Sequence, residues 1–165
     1  MTTGMTPEAD AALRAHVRAL LTLPQAHLTL DAVLNDFPEE HRHTRVQGVP
    51  SSAWELLWHL RFTQRDILNF VRDGAYAEPR WPADYWPAED AAQDWEAEVH
   101  AFWHDFGEVL ALLDDPAVDL LAVVPNGTGE GGGGQTWLRG FLLLADHNAY
   151  HVGQLALRRK MLGGA

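Results

Sequence analysis

Apolar residues return every three or four positions through most of the chain, in segments separated by proline, glycine and acidic runs. Leu13, Val17, Leu20 and Leu21 mark one helical face between about Pro7 and Leu23, and Pro24 interrupts it. A second helical stretch is predicted from about Gln25 to Phe37, on Leu28, Leu30, Val33 and Leu34, and ends at Pro38. From Glu39 to Pro50 no period is visible, which reads as a loop. Ser52-Ala-Trp-Glu55 then has the form of a capping box, with the serine oxygen accepting from an orphan backbone N–H and Glu55 reaching back. The helix it opens runs to about Arg72 and stops at Asp73-Gly74. A loop rich in aromatics and proline follows, Trp81-Pro82-Ala83-Asp84-Tyr85-Trp86-Pro87. The stripe Trp95, Val99, Phe102, Phe106, Leu110 and Leu113 predicts a long helix from about Glu89 to Leu113, closed by Asp114-Asp115-Pro116. Leu120 to Val124 reads either as a short strand or as a turn of apolar loop. A glycine-rich connection, Gly127 to Gly134, leads to a last helix that starts at the N-cap candidate Thr136 and reaches about Leu162, roughly 39 Å of helix. Long helices with apolar stripes point to an all-α bundle with extra short helices and long loops.

Composition narrows the class. The 165 residues are expected to form a single domain spanning 1–165. Hydrophobic residues make up 47% and seven are tryptophan, which argues for a packed core and against disorder. The formal net charge is −11, and Lys160 is the sole lysine, so neither a phosphate backbone nor an anionic membrane is an expected partner. There is no cysteine, which removes disulfides, thiolate nucleophiles and cysteine metal sites together and fits a cytoplasmic protein. No apolar run is long enough for a membrane span, and the acidic, proline-interrupted start is not a signal peptide. Gly127-Thr-Gly129-Glu-Gly-Gly132 formally matches a dinucleotide fingerprint, but the βαβ unit it requires is absent. The segment reads as a plain connector or as a flap near a site.

Two histidine pairs have the four-residue spacing that puts both rings on one helix face, His100 with His104 and His147 with His151. His100 and His104 fall far from the apolar stripe of their helix and share its polar side with Glu96 and Glu108, so they are expected to face solvent. His147 and His151 lie on a helix that is apolar nearly all round from Phe141 to Ala145, which predicts burial. Buried imidazoles need hydrogen-bond partners or a metal, and both readings stand at this point. His59, on the face of Leu56, Phe62 and Phe70, is the candidate third ligand, with a hydrogen-bonded core histidine as the alternative. Three neutral imidazoles would leave metal positions open, as in catalytic rather than structural sites. Glu55 and Asp66 share that face and are candidates to hold a ligand's far ring proton, although Glu55 is also the capping residue. Asp66, Tyr150 and Gln154 are the candidate catalytic residues. Tyr150 reads equally as a packed core tyrosine. The Trp81–Pro87 loop either roofs a pocket or seals the end of the bundle.

Trp54-Glu-Leu-Leu-Trp-His59-Leu, followed by Ala145-Asp-His147-Asn-Ala-Tyr-His151-Val-Gly-Gln-Leu, resembles the DinB/YfiT-like metalloprotein superfamily. The Trp81-Pro82…Tyr85-Trp86-Pro87 text and the closing Leu-Arg-Arg resemble one branch of it, and the likeness runs from about residue 10 to 162. It implies a four-helix bundle, often a homodimer, with His59, His147 and His151 as ligands of a divalent ion such as Zn, Ni or Fe. His27 matches no ligand of the pattern and reads as structural. The resemblance further implies a metal-dependent transferase that joins a low-molecular-weight thiol, of the bacillithiol or mycothiol kind, to an electrophilic small-molecule substrate. The alternatives are a metal-dependent hydrolase and a non-catalytic, stress-associated metal-binding dimer.

Overall fold

A computed structural model describes residues 5–128 and 134–163. Most of the Gly127–Gly134 connection, and with it the flap-or-connector reading, lies outside the described residues. Five α-helices pack together, and no strand occurs among the described residues: α1 (Pro7–Thr22), α2 (Leu30–Asn35), α3 (Ala53–Arg72), α4 (Trp95–Asp114) and α5 (Trp137–Met161). The four long helices form a bundle. α1 and α3 each pack against both α4 and α5, so α1 lies diagonally across from α3, and short α2 covers α5.

Ion pairs fix the direction of the neighbours. Arg61, Arg65 and Arg72 of α3 pair with Glu98, Asp105 and Glu108 of α4, in the same order along both chains. Gln64 Nε2 donates to the Phe102 carbonyl at 2.8 Å in the same register. α3 and α4 are therefore parallel, and residues 73–94 form the crossover that brings the chain back along roughly 30 Å of helix. α5 runs antiparallel to α3, since Gly140 meets Val71 at one end while Arg158 bonds Ser51 at the other.

The helix ends show which sequence signals decide. The Ser52 capping box forms as expected: Glu55 N–H donates to Ser52 Oγ at 3.2 Å, and Ser52 N–H to the Glu55 carboxylate at 2.6 Å. The second helix is shorter than its apolar period suggests. Gln25 folds its amide back onto the Ala19 carbonyl, and Thr29 accepts from Ala32 N–H, so helix starts only at Leu30. α4 starts at Trp95 rather than near Glu89 because Asp94 Oδ1 accepts from Ala97 N–H at 3.0 Å. Residues 89–94 still belong to the crossover. Leu120 to Val124 resolves as an apolar turn with one isolated bridge, Val123 to Thr136. Its Leu120 and Ala122 carbonyls accept from Leu138 and Trp137, two N–H groups that the first turn of α5 cannot satisfy itself.

Two apolar clusters fill the bundle. Trp54, Leu57, Leu60, Phe102, Val152 and Leu155 belong to one, and Val17, Leu68, Val109, Phe141 and Leu144 to the other. Along α5 the first cluster begins at Val152 and the second ends near Leu144, so His147 and His151 sit at the changeover.

Close packing of α3 on α5 generates a prediction. A Cβ added at Gly140 would lie 2.8 Å from Val71 Cγ1, whereas one at Gly107 meets nothing within 4 Å. Overpacking costs about 1–3 kcal/mol against about 1 kcal/mol gained in helix propensity. Gly140→Ala should lower the urea midpoint and Gly107→Ala should raise it. Equal shifts in the two variants would show that the helices do not approach so closely.

Candidate metal centre

α3 carries His59 inward two turns after the capped Ser52 start, and α5 brings His147 and His151 on successive turns of one face. Burial of Leu56 and Leu60 on α3 and of Leu144 and Leu155 on α5 turns these rings to the helix–helix seam. His59 is 3% and His151 7% exposed. The three Nε2 atoms converge, with His147 Nε2 at 3.1 Å from that of His59 and 3.1 Å from that of His151. Nitrogens bound at about 2.1 Å to one tetrahedral ion lie about that far apart.

Proton positions test whether these residues fit an ion. His59 Nδ1–H donates to the Tyr85 carbonyl at 2.8 Å, and His151 Nδ1–H to Gln154 Oε1 at 2.9 Å. Both rings therefore present a bare lone pair at Nε2. His147 Nε2 has at most one proton to offer, so one of the two 3.1 Å contacts faces lone pair against lone pair. A cation at the centre removes that conflict, and the group could hold a metal ion. Burial, then the neighbouring imidazoles, pushes His147 down to about 3, and burial also outweighs the Gln154 bond to push His151 down to about 4. His59 is lowered as well, by burial against its bond to Tyr85. All three are neutral at neutral pH, the form a metal requires.

The partners of the rings differ from the sequence expectation. Neither carboxylate on the His59 face reaches a ligand. Glu55 is held by Ser52 N–H and by Arg45. Asp66 accepts from the Tyr76 hydroxyl at 2.9 Å and from the Tyr85 hydroxyl at 2.8 Å. Burial and the Asp66 carboxylate push Tyr76 up to about 12 and Tyr85 higher still, so both hydroxyls stay protonated as donors. Asp66 thus acts on the crossover, clasping Tyr85 to α3 so that the Tyr85 carbonyl meets His59. Tyr85 is the residue that sequence reasoning missed as a ring partner. A main-chain carbonyl has no residue signature, and only the tyrosine's place in the Trp81–Pro87 loop pointed near it. Trp86, next along, stacks on the His59 ring at 4.4 Å and an interplanar angle of 8°.

The remaining candidates are placed as follows. Gln154 holds His151, and Tyr150 meets the His151 ring edge-on with centroids 4.9 Å apart. Tyr150 is 65% exposed, which corrects its reading as a packed core residue. Trp86, Tyr150, His151 and Gln154 share a pocket of about 370 Å³ with Ser51 and Arg158. The Trp81–Pro87 loop thus supplies a wall of this pocket through Trp86. His27 is exposed, bonds the Leu28 carbonyl and stands apart from the three rings. His100 and His104 are exposed, as the stripe requires. His104 approaches Asp105 and Glu108, but Arg65 and Arg72 already neutralise those carboxylates.

Two measurements follow. Each site imidazole has a folded pKa below its unfolded value of about 6.5, so the unfolded chain binds more protons between the two and stability rises with pH there. Metal-free protein should lose stability as pH falls from about 6.5 towards 4, and His147→Ala should flatten that slope while His100→Ala leaves it unchanged. Denaturant midpoints across pH read this out, and identical slopes in all three proteins would refute the buried neutral cluster. Separately, Tyr85→Phe keeps the carbonyl but loses the Asp66 clasp. It should weaken zinc binding roughly tenfold, in line with other outer partners of metal-bound histidines. Unchanged zinc affinity by chelator competition would mean that the carbonyl is positioned without Asp66.

A search of the curated proteins and a search of the solved structures each find no match to this chain. A family model described as the DinB superfamily matches residues 22–155, a span that includes α2 to α4, the crossover and all three site histidines. With that match over most of its length, the chain belongs to the DinB superfamily.

Proposed function

We propose that the protein is a metal-dependent transferase that joins a low-molecular-weight thiol to an electrophilic small molecule, with His59, His147 and His151 holding a divalent ion. The observation that carries this reading is the chemistry of the pocket beside His151. It is open to a small molecule, yet among the described residues its lining has no carboxylate and no imidazole besides His151 itself. A hydrolase needs a base within reach of the attacking water, and among the described residues this lining offers no carboxylate for it. A site built only to store an ion would have no need of a pocket walled by Trp86 and Tyr150. A divalent ion in such a site supplies Lewis acidity, lowering the pKa of a thiol that reaches it.

The chain's own residues divide the remaining work. Three neutral imidazoles do not compensate a divalent charge, so the site favours an anionic sulfur. Trp86 offers a flat apolar wall to the electrophile, and the exposed Tyr150 hydroxyl can hydrogen-bond it at the pocket mouth. Transfer forms a bond from the thiol sulfur to the electrophilic carbon. The leaving group departs with the bonding pair, and the thiol proton passes to solvent beside Tyr150. The same proposal includes a homodimer, supported by apolar residues exposed away from this pocket, Leu142 and Leu143 of α5 and Leu121 and Val123 in the turn before it.

Purified without a histidine tag, the protein should carry about one divalent ion per chain and conjugate small thiols to a chromogenic aryl halide. Chelation should abolish the conjugation and zinc, nickel or iron(II) should restore it. His147→Ala should retain neither ion nor activity, while His100→Ala retains both. Full ion content with no conjugation across a panel of thiols would leave a binding protein instead.

A further inference from the structure

Arg158 stands on the same face of α5 as His147, His151 and Gln154, seven residues beyond His151. That spacing is two turns, roughly 10 Å along the axis, and a helical side chain leans back towards the N-terminus, here towards His151. Arg158 lines the same pocket as His151 and is only 7% exposed. It donates to the Ser51 carbonyl, to Ser51 Oγ and to the Gln154 carbonyl. Those three bonds leave two of its N–H donors unused. Among the described residues no carboxylate lies within 4.0 Å of it. Its buried neighbour Arg159, by contrast, has Asp36 at 3.6 Å. Glu55 attracts Arg158 from farther off, but the Glu55 carboxylate is committed to Ser52 and Arg45.

A buried cation without a counter-ion is costly, and a pocket gives it a route to one. Arginine also suits the task, because its planar fork matches a carboxylate in two parallel hydrogen bonds. The chain as a whole carries a net charge of −11 and repels anions, so attraction has to come from local groups. We infer that Arg158 is the anion-recognition residue of the histidine pocket, binding a carboxylate on a ligand whose other end reaches His151. The inference adds a substrate class to the thiol-transfer reading and rests on it only for what lies at the histidine end. Trp86 and Leu157 line the apolar interval between the two ends. The ligand is thus an elongated molecule, acidic at one tip and carrying either sulfur or the electrophilic carbon at the other.

Cobalt-loaded protein reads the thiol arm, through the absorption that appears when sulfur joins the ion. Mercaptohexanoate is compared with its neutral amide and with the shorter mercaptopropionate. The electrophile arm compares bromohexanoate with bromohexanamide, read by quenching of tryptophan fluorescence, which needs no metal. In at least one arm the acid should bind about tenfold tighter than its amide, as a charge-assisted hydrogen-bond pair gives. The arm that shows this identifies which reactant carries the carboxylate. Where the thiol arm shows the preference, mercaptohexanoate should exceed mercaptopropionate, whose acid cannot span the distance. Arg158→Gln should erase the preference for acid over amide, and Arg158→Lys should keep part of it. The wild-type comparison stands even if Arg158→Gln folds poorly through loss of its Ser51 bonds. Equal binding of acid and amide in both arms overturns the assignment of Arg158, and so does an acid preference that survives in Arg158→Gln. Should cobalt fail to bind while the fluorescence arm still prefers the acid, the metal reading falls and the Arg158 site stands.

Discussion

Two neighbouring helices that run parallel cannot be joined by a tight turn, and this constraint shapes the whole site. α3 and α4 are held in register by Arg61, Arg65 and Arg72 against Glu98, Asp105 and Glu108. Residues 73–94 must therefore travel back along the bundle. Exposed ion pairs alone contribute little to stability. Asp105, however, is almost fully buried, and Gln64 of α3 adds a bond to the Phe102 carbonyl of α4 in the same register. Register between parallel helices is what these groups specify. The crossover that results passes His59, and Asp66 fastens it there through Tyr85.

The site is thus made of one helix pair and the loop that the other pair demands. α3 and α5 supply the three imidazoles, and the crossover supplies the carbonyl that fixes the His59 tautomer and the indole that stacks on its ring. His151 is fixed from its own helix by Gln154. His147 has no acceptor for Nδ1 among the described residues, so its ring is oriented by the other two imidazoles and by packing. Every ring partner is a neutral oxygen. These imidazoles are consequently less basic than carboxylate-paired ones, and an ion among them would keep its positive charge. With an ion at one end and Arg158 at the other, the pocket would suit anionic small molecules.

Belonging to the DinB superfamily accounts for the bundle. It does not select a reaction, because one fold serves many chemistries. The local groups narrow the choice: an accessible pocket, no general base on its walls among the described residues, and a buried guanidinium lacking a carboxylate partner.

Much of this was legible in the sequence where the cause is local. The capping box at Ser52, the N-cap at Thr136 and the solvent-facing His100 and His104 follow from spacing and short-range hydrogen bonds, which act over one turn. The burial of His151 and its alignment with His147 follow from helix period in the same way. Starts without a clear apolar boundary were misjudged, since Gln25–Leu28 and Glu89–Asp94 have nothing in them that resists a helix. There the decision lay with side chains such as Gln25, Thr29 and Asp94 bonding particular backbone groups. Tertiary structure alone decided the partner of the His59 ring. Glu55 and Asp66 share the His59 face by period, but period gives an angle about one helix axis and says nothing of what approaches from outside it. Which oxygen meets His59 depended on where a crossover dictated by α4 would lie, and which charge stayed unpaired depended on the distance between Arg158 and every carboxylate in the fold. Both are properties of packing between distant segments, for which a single chain of letters carries no periodic signal.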